Sequence, residues 1–145
     1  MAIASRQVQS VDDWLDLCRS RRDDARALLQ SRRASGAWLN AGFAVESCIK
    51  AAIMTKEGMN RWPDKDEHPE LWTHDLRALL KRLGMLDVDP KTPVAPALKT
   101  VLDWQRDHGY SATTFPLKAA KQLCEAAFDS NGVIEWIASR YRLNI

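Results

Sequence analysis

Apolar positions recur every three to four residues along most of the chain, and no stretch alternates with the two-residue period of a strand. The first helical segment begins at Ser10, carries two aspartates in its first turn, and is expected to end near Ser31. The second has its clearest apolar stripe from Trp38 to Ala52, and Gly58 is a typical C-terminal stop. The pattern therefore predicts an all-α fold.

The second half of the chain continues the helical pattern. Thr73 is expected to cap a short helix over 74–83, and Pro96 to lie in the first turn of a helix that ends near His108. The last stripe keeps its phase from Leu117 to Tyr141, which predicts one long helix with a weak point at Asn131-Gly132. We expect a single domain over 1–145, with its core at about 11–142: an up-and-down four-helix bundle with an additional short helix.

Composition narrows the class of protein but leaves its function open. No apolar run among the 145 residues reaches the roughly 20 residues of a membrane-spanning helix, and without a signal-like start the expected compartment is the cytoplasm. Three distant cysteines exclude a disulfide framework, and no spacing typical of metal ligands occurs, so we expect no metal or cofactor. The net charge of +2 argues against broad nucleic-acid coating.

Two features of composition each leave two interpretations open. Arginines are dense in the first segment, where they form either a solvated surface or an RNA-binding face; they are Arg19, Arg21, Arg22, Arg26, Arg32 and Arg33. The six tryptophans suit either core packing or stacking on bases. Stripe positions favour the core for Trp14, Trp38 and Trp136, whereas the open cases, near predicted loops and helix ends, are Trp62, Trp72 and Trp104.

The segment Trp104–Tyr110 places three chemically active side chains at a predicted helix end. Arg106 is a cation for phosphate, His108 can take up and release a proton, and Tyr110 offers a hydroxyl. Such groups could cleave RNA through its own 2′-hydroxyl, with proton transfer by histidine and charge stabilisation by arginine. The segment is therefore the candidate catalytic site.

The chain resembles the HEPN-domain family of prokaryotic helical proteins associated with nucleotide and RNA transactions. The resemblance rests on Ala44-Val45-Glu46 with Lys50-Ala51 in the second helix, on the Thr-His-Asp-Leu motif at 73–76, and on the segment 104–110 before the last helix. It covers about 12–141, nearly the whole chain. It implies a four-helix up-and-down bundle that forms a homodimer.

The resemblance also implies a catalytic pattern, from which this sequence departs. Active members are metal-independent ribonucleases with an arginine, four to six residues, and then a histidine, in some extended to His-x-Tyr. His108 and Tyr110 match the last part, but Arg106 is only two residues before His108. Arg61 has a permitted spacing to His68, yet it lies in a different predicted loop. With Trp104 and His74, Arg61 is a candidate contact for nucleotide or RNA.

Two functions follow from the resemblance. In one, the protein is a non-catalytic module that binds a nucleotide, RNA or a partner, paired with a nucleotidyltransferase-type protein. In the other, it is an endoribonuclease toxin of a toxin–antitoxin or phage-defence system, with Arg106 and His108 facing their copies across a dimer cleft. The nucleotidyltransferase-type antitoxin would then silence it by modifying Tyr110. The altered motif favours the binding module.

Overall fold

The computed structural model describes residues 2–112 and 114–145, and this part of the chain is helical with no strand. The α-helices are α1 (Val11–Gln30), α2 (Ala34–Glu57), α3 (Leu76–Leu83), α4 (Ala95–Val101), α5 (Leu117–Phe128) and α6 (Val133–Tyr141). Two short 3₁₀ helices span Pro69–Leu71 and Arg106–Tyr110. The predicted all-α class is confirmed.

The two ends predicted most specifically from the sequence are confirmed. Ser10 caps α1: its hydroxyl accepts the backbone N–H of Asp13, whose carboxylate accepts the backbone N–H of Ser10 in return. Gly58 ends α2 in the left-handed conformation, with φ of 64°. Both signals lie within a few residues of the end they mark, so they act without tertiary contacts.

The central helix of the fold is α2. It packs against α1, α3, α5, α6 and the 3₁₀ helix Arg106–Tyr110, and its middle is buried on nearly all sides. Its core side chains include Val45, Ile49 and Ile53, which are fully buried. Because neighbours surround α2, even the charged residues Glu46 and Lys50 lie in the interior, where they position the site described below.

The prediction of one long last helix is wrong. The chain ends α5 at Phe128, turns through 129–132, and begins α6 at Val133. A Cβ atom at Gly132 would lie 2.8 Å from the carbonyl oxygens of Ala126 and Asp129, so the turn needs glycine there. The apolar stripe survives the break because Ala127 and Ile134 both face the core on either side of it.

Two other predicted helices are shorter in the structure. The Pro96 helix ends at Val101 instead of near His108, because the indole of Trp104 is buried against α2: a Cβ at Gly42 would lie 1.9 Å from that ring. The short helix begins at Leu76, with Asp75 as its cap in place of Thr73. The Thr73 hydroxyl instead accepts the backbone N–H of Asp75, which places His74 before the helix.

None of the described helices has both the length and the apolar character needed to cross a membrane.

Candidate functional site

A cavity of about 390 Å³ opens between α1, α2 and the segment that leads into α3. We call it the aromatic pocket, because its walls include Trp14, Phe43, Trp62 and Trp72. Trp14 and Trp62 meet edge to face with ring centroids 5.1 Å apart. The cavity falls in the size range of small-molecule sites, which are typically apolar with a few placed polar groups.

The polar groups of the aromatic pocket begin with a buried ion pair. Glu46 and Lys50 lie one turn apart on α2, each 5% exposed, with Lys50 Nζ 3.0 Å from Glu46 Oε2. The ammonium lies 5.1 Å from the ring centroid of Trp14 and 5.6 Å from that of Trp62. Because Lys50 already makes the cation–π contacts that these two indoles offer, the pocket is not arranged to hold a cationic ligand.

His74 is held over this ion pair by a hydrogen bond from its Nδ1 to Glu46 Oε1, at 2.8 Å. An ionised carboxylate can only accept, so Nδ1 carries the proton and Nε2 is the ring nitrogen that remains for a ligand. The side chain of His74 is 46% exposed, whereas that of Glu46 is 6% exposed. A buried carboxylate therefore orients an accessible imidazole.

Two further side chains give the aromatic pocket an open edge. Arg21 is 42% exposed, and the nearest carboxylate oxygen, of Asp24, lies 3.9 Å away; its guanidinium is 5.8 Å from the centroid of Phe43. Trp72 is 38% exposed, and its Nε1 donates to the carbonyl of Pro63 at 3.0 Å. A loosely paired cation and a fixed, accessible indole thus line the same cavity.

A second cavity of about 540 Å³ adjoins the first, and both are lined by Thr73 and His74. We call it the polar groove; its other lining residues include Arg77, Trp104 and Arg106. Of the side chains predicted from the sequence, the structure thus brings His74, Trp104 and Arg106 to one groove. Trp104 is only 3% exposed, so its ring forms part of the wall and is not open for base stacking, contrary to the expectation of an exposed contact.

His108 lies outside both cavities and serves a packing role. Its Nδ1 accepts the indole N–H of Trp38 at 2.9 Å and the backbone N–H of Gln105 at 3.3 Å. An Nδ1 that accepts two N–H groups carries no proton, so in this arrangement only Nε2 does. The ring also packs edge to face on Phe115, with centroids 5.3 Å apart. These contacts fasten the 3₁₀ helix to α2.

The remaining predicted residues are dispersed. Tyr110 is 76% exposed, and the guanidinium of Arg106 lies 5.4 Å from its ring centroid. Arg61 lines neither cavity and pairs with Glu67 at 2.7 Å, which raises the pKa of the guanidinium. Its charge is thus committed to the loop in which it lies.

The structure also locates the cysteines and the side chains that could ligate a metal. All three cysteines are buried, as their stripe positions predicted, and burial raises the pKa of Cys124 to about 11. Within 2–112 and 114–145, no three or more His, Cys, Asp or Glu side chains group closely enough to hold a metal ion.

Sequence reasoning did not assign the main polar residues of the site, Glu46 and Lys50, although both belong to the motif that carries the family resemblance. The available signal was their spacing: two opposite charges one turn apart inside an otherwise apolar helix. A pair of this kind in a helix that is buried all round must lie in the interior.

Comparisons with protein-family models, with curated proteins and with solved structures gave no match. The functional assignment therefore rests on the geometry of the aromatic pocket and the polar groove.

Proposed function

We propose that this protein is a HEPN-like, non-catalytic module that binds a nucleotide or the nucleotide end of an RNA in the aromatic pocket. The observation that carries the proposal is a cavity of about 390 Å³ that combines aromatic walls with Arg21, Lys50 and His74 around a single buried carboxylate. The charge of Lys50 cancels that of Glu46, so the charge of Arg21 leaves the lining of the pocket positive, which suits an anion. The exposed indole of Trp72, held by its hydrogen bond, suits a planar base.

The base and the phosphate of a nucleotide each have a partner in this arrangement. The base stacks on Trp72, whose indole is fixed by the carbonyl of Pro63. The phosphate takes the planar fork of Arg21 and the Nε2–H that His74 presents when it is protonated. Glu46 accepts from His74 and Lys50 at once and so fixes both in place.

The resemblance to HEPN proteins supports the same proposal. Two of its motifs are Ala44-Val45-Glu46 with Lys50-Ala51 and the Thr-His-Asp-Leu run. Glu46 and His74, one from each, are 28 residues apart in the sequence, yet their side chains are hydrogen bonded. The four-helix up-and-down arrangement, the homodimer and the nucleotidyltransferase-type partner belong to this proposal as predictions.

Binding is proposed in preference to RNA cleavage because of His108. A general base needs an imidazole nitrogen that is free to take a proton in reach of the substrate, and Nδ1 of His108 is engaged by Trp38 and Gln105. Arg106 lines the polar groove while His108 does not, so the two candidate catalytic residues do not share a cavity.

Calorimetric titration with AMP tests the proposal. We expect saturable binding at one site per chain, weakened about tenfold by His74→Ala and by Arg21→Gln, since each loses one charge-assisted hydrogen bond. Arg140→Gln is the matched control, because Arg140 is exposed on α6 away from both cavities. Absence of AMP binding by the folded protein, or equal losses in all three variants, would contradict the proposal.

The ribonuclease hypothesis is tested separately. Single-stranded RNA incubated with the protein and EDTA should stay intact, and His108→Ala should make no difference. Cleavage that persists in EDTA and is lost in His108→Ala would replace the binding module with the enzyme.

A further inference from the structure

The aromatic pocket is one half of a longer opening. The polar groove continues from it across Thr73 and His74, which line both cavities. The groove has the larger volume, about 540 Å³ against about 390 Å³. A ligand that fills only the aromatic pocket therefore leaves this adjoining space to solvent.

The polar groove offers two arginines without acidic partners. Neither Arg77 nor Arg106 makes a salt bridge among the described residues, whereas Arg82 is paired with Glu57 and Glu70. The guanidinium of Arg106 packs over the ring of Tyr110, 5.4 Å from the ring centroid, and this contact orients it. These two guanidinium groups have no carboxylate partner and lie beside an accessible imidazole. They are therefore suited to donate charge-assisted hydrogen bonds to a phosphate.

The carboxylates of the groove limit where an anion can lie. Asp75 is engaged, because its Oδ1 accepts the backbone N–H groups of Arg77 and Ala78 at the start of α3. Asp107 is exposed and makes no salt bridge in the described chain. An anion must therefore lie on the arginines and away from the carboxylates of both Asp75 and Asp107.

The groove differs from the aromatic pocket in what it offers to a base. Among the described residues that line it, the only aromatic side chain besides His74 is Trp104, which is 3% exposed. The accessible imidazole of His74 already faces the phosphate, so the groove offers no further exposed ring on which a base could stack. The groove suits a phosphate and a sugar better than it suits a second stacked base.

We propose that the site is bipartite and takes a dinucleotide: the first nucleotide occupies the aromatic pocket, and the linking phosphate and second sugar cross His74 onto Arg77 and Arg106. This rests on the proposed function and adds the class of ligand. The shared chemistry is two nucleosides joined by a phosphodiester, either as a free dinucleotide or as the end of an RNA strand.

The test compares AMP with pApA and with decaadenylate by calorimetry, in wild type and in Arg77→Gln, Arg106→Gln and Arg140→Gln. We expect pApA to bind about tenfold more tightly than AMP. Arg77→Gln and Arg106→Gln should each reduce this advantage about threefold while AMP affinity is unchanged, and Arg140→Gln should change neither. Asp107→Asn should strengthen pApA binding about twofold, because it removes a negative charge that repels the phosphate from elsewhere in the groove.

The outcomes separate this inference from the function on which it rests. AMP binding that depends on His74, with no advantage for pApA, would overturn the bipartite site and leave the nucleotide pocket in place. Equal loss of AMP and pApA affinity in Arg77→Gln or Arg106→Gln would also overturn it. Failure of AMP and pApA alike to bind would overturn both. Decaadenylate binding as tightly as pApA identifies a strand end, and much weaker binding identifies a free dinucleotide; both support the bipartite site.

Discussion

At the scale of single residues, the two histidines of the candidate segments make opposite hydrogen bonds. Nδ1 of His74 donates to a buried carboxylate, whereas Nδ1 of His108 accepts from an indole and a backbone amide. Both are predicted from the sequence as functional, but the difference between them comes from partners distant in sequence, Glu46 and Trp38. No spacing within the chain specifies which partner a ring nitrogen meets.

The ion pair of Glu46 and Lys50 is expected to serve binding at the expense of stability. Exchange of a buried pair for apolar side chains of similar size is often neutral or stabilising by about 1–4 kcal/mol, because the charges no longer lose their hydration. The double variant Glu46→Leu/Lys50→Met should therefore unfold at equal or higher urea concentration than wild type and lose AMP binding.

Urea denaturation and AMP calorimetry on the same samples check this expectation. The single variant Lys50→Met is the control, since it leaves Glu46 buried without its cation and should be destabilised by about 3–5 kcal/mol. A stable double variant that binds AMP like wild type would show that the pair has no part in binding.

At the scale of elements, helix ends with local signals are predicted well and helix ends set by packing are not. Ser10 and Gly58 mark their ends within a few residues of chain. The end of α4 instead depends on Trp104 meeting Gly42, which lies on another helix. The break at Gly132 depends on close backbone contacts. The sequence does not reveal it, because the apolar positions keep helical spacing across the turn.

The contact between α2 and Trp104 predicts that adding a single methyl group at Gly42 destabilises the fold. In Gly42→Ala the added Cβ would lie 1.9 Å from the Trp104 ring, so either the ring or the helix must move. We expect a destabilisation of about 1–3 kcal/mol by urea denaturation, as for other overpacked cores. Gly36→Ala is the matched control on α2, because its Cβ would meet only the flexible end of Leu28; equal effects of the two would contradict the packing described.

The hydrogen bonds at the start of α1 predict that the stability of the fold depends on pH in the acid range. The Arg6 guanidinium, with the backbone N–H groups of Gln9 and Ser10, holds the pKa of Asp13 well below its usual range. A carboxyl with a lowered folded-state pKa adds stability above its unfolded pKa of about 3.9, and this is lost as pH falls through the folded value.

Thermal denaturation from pH 6 to pH 2 tests this. The stability difference between wild type and Asp13→Asn should be full above about pH 4 and shrink below it. Asp12→Asn, one residue away in the same turn, should show a much smaller difference at every pH, since Asp12 makes no side-chain hydrogen bond or ion pair with any described residue. A difference for Asp13→Asn that does not change with pH would contradict the assigned role.

At the scale of the whole molecule, the all-α class can be predicted from the sequence, whereas the position and lining of the candidate site cannot. Alternation of apolar and polar positions at helical spacing predicts where most helices lie. The aromatic pocket forms only when Trp14 of α1, Lys50 of α2 and the 62–74 segment converge. Trp62 and Trp72, left open by the sequence, become respectively a buried wall and an exposed platform only in that assembly.

The central claim is that the aromatic pocket binds a nucleotide, and the indole N–H signals of the six tryptophans test it most directly. In a two-dimensional ¹⁵N–¹H spectrum, AMP should shift the signals of the pocket tryptophans, Trp14, Trp62 and Trp72, and leave those of Trp38 and Trp136 in place. Assignment by single Trp→Phe variants identifies each signal. Indole signals that do not move, or that move only for Trp38 and Trp136, would contradict the account.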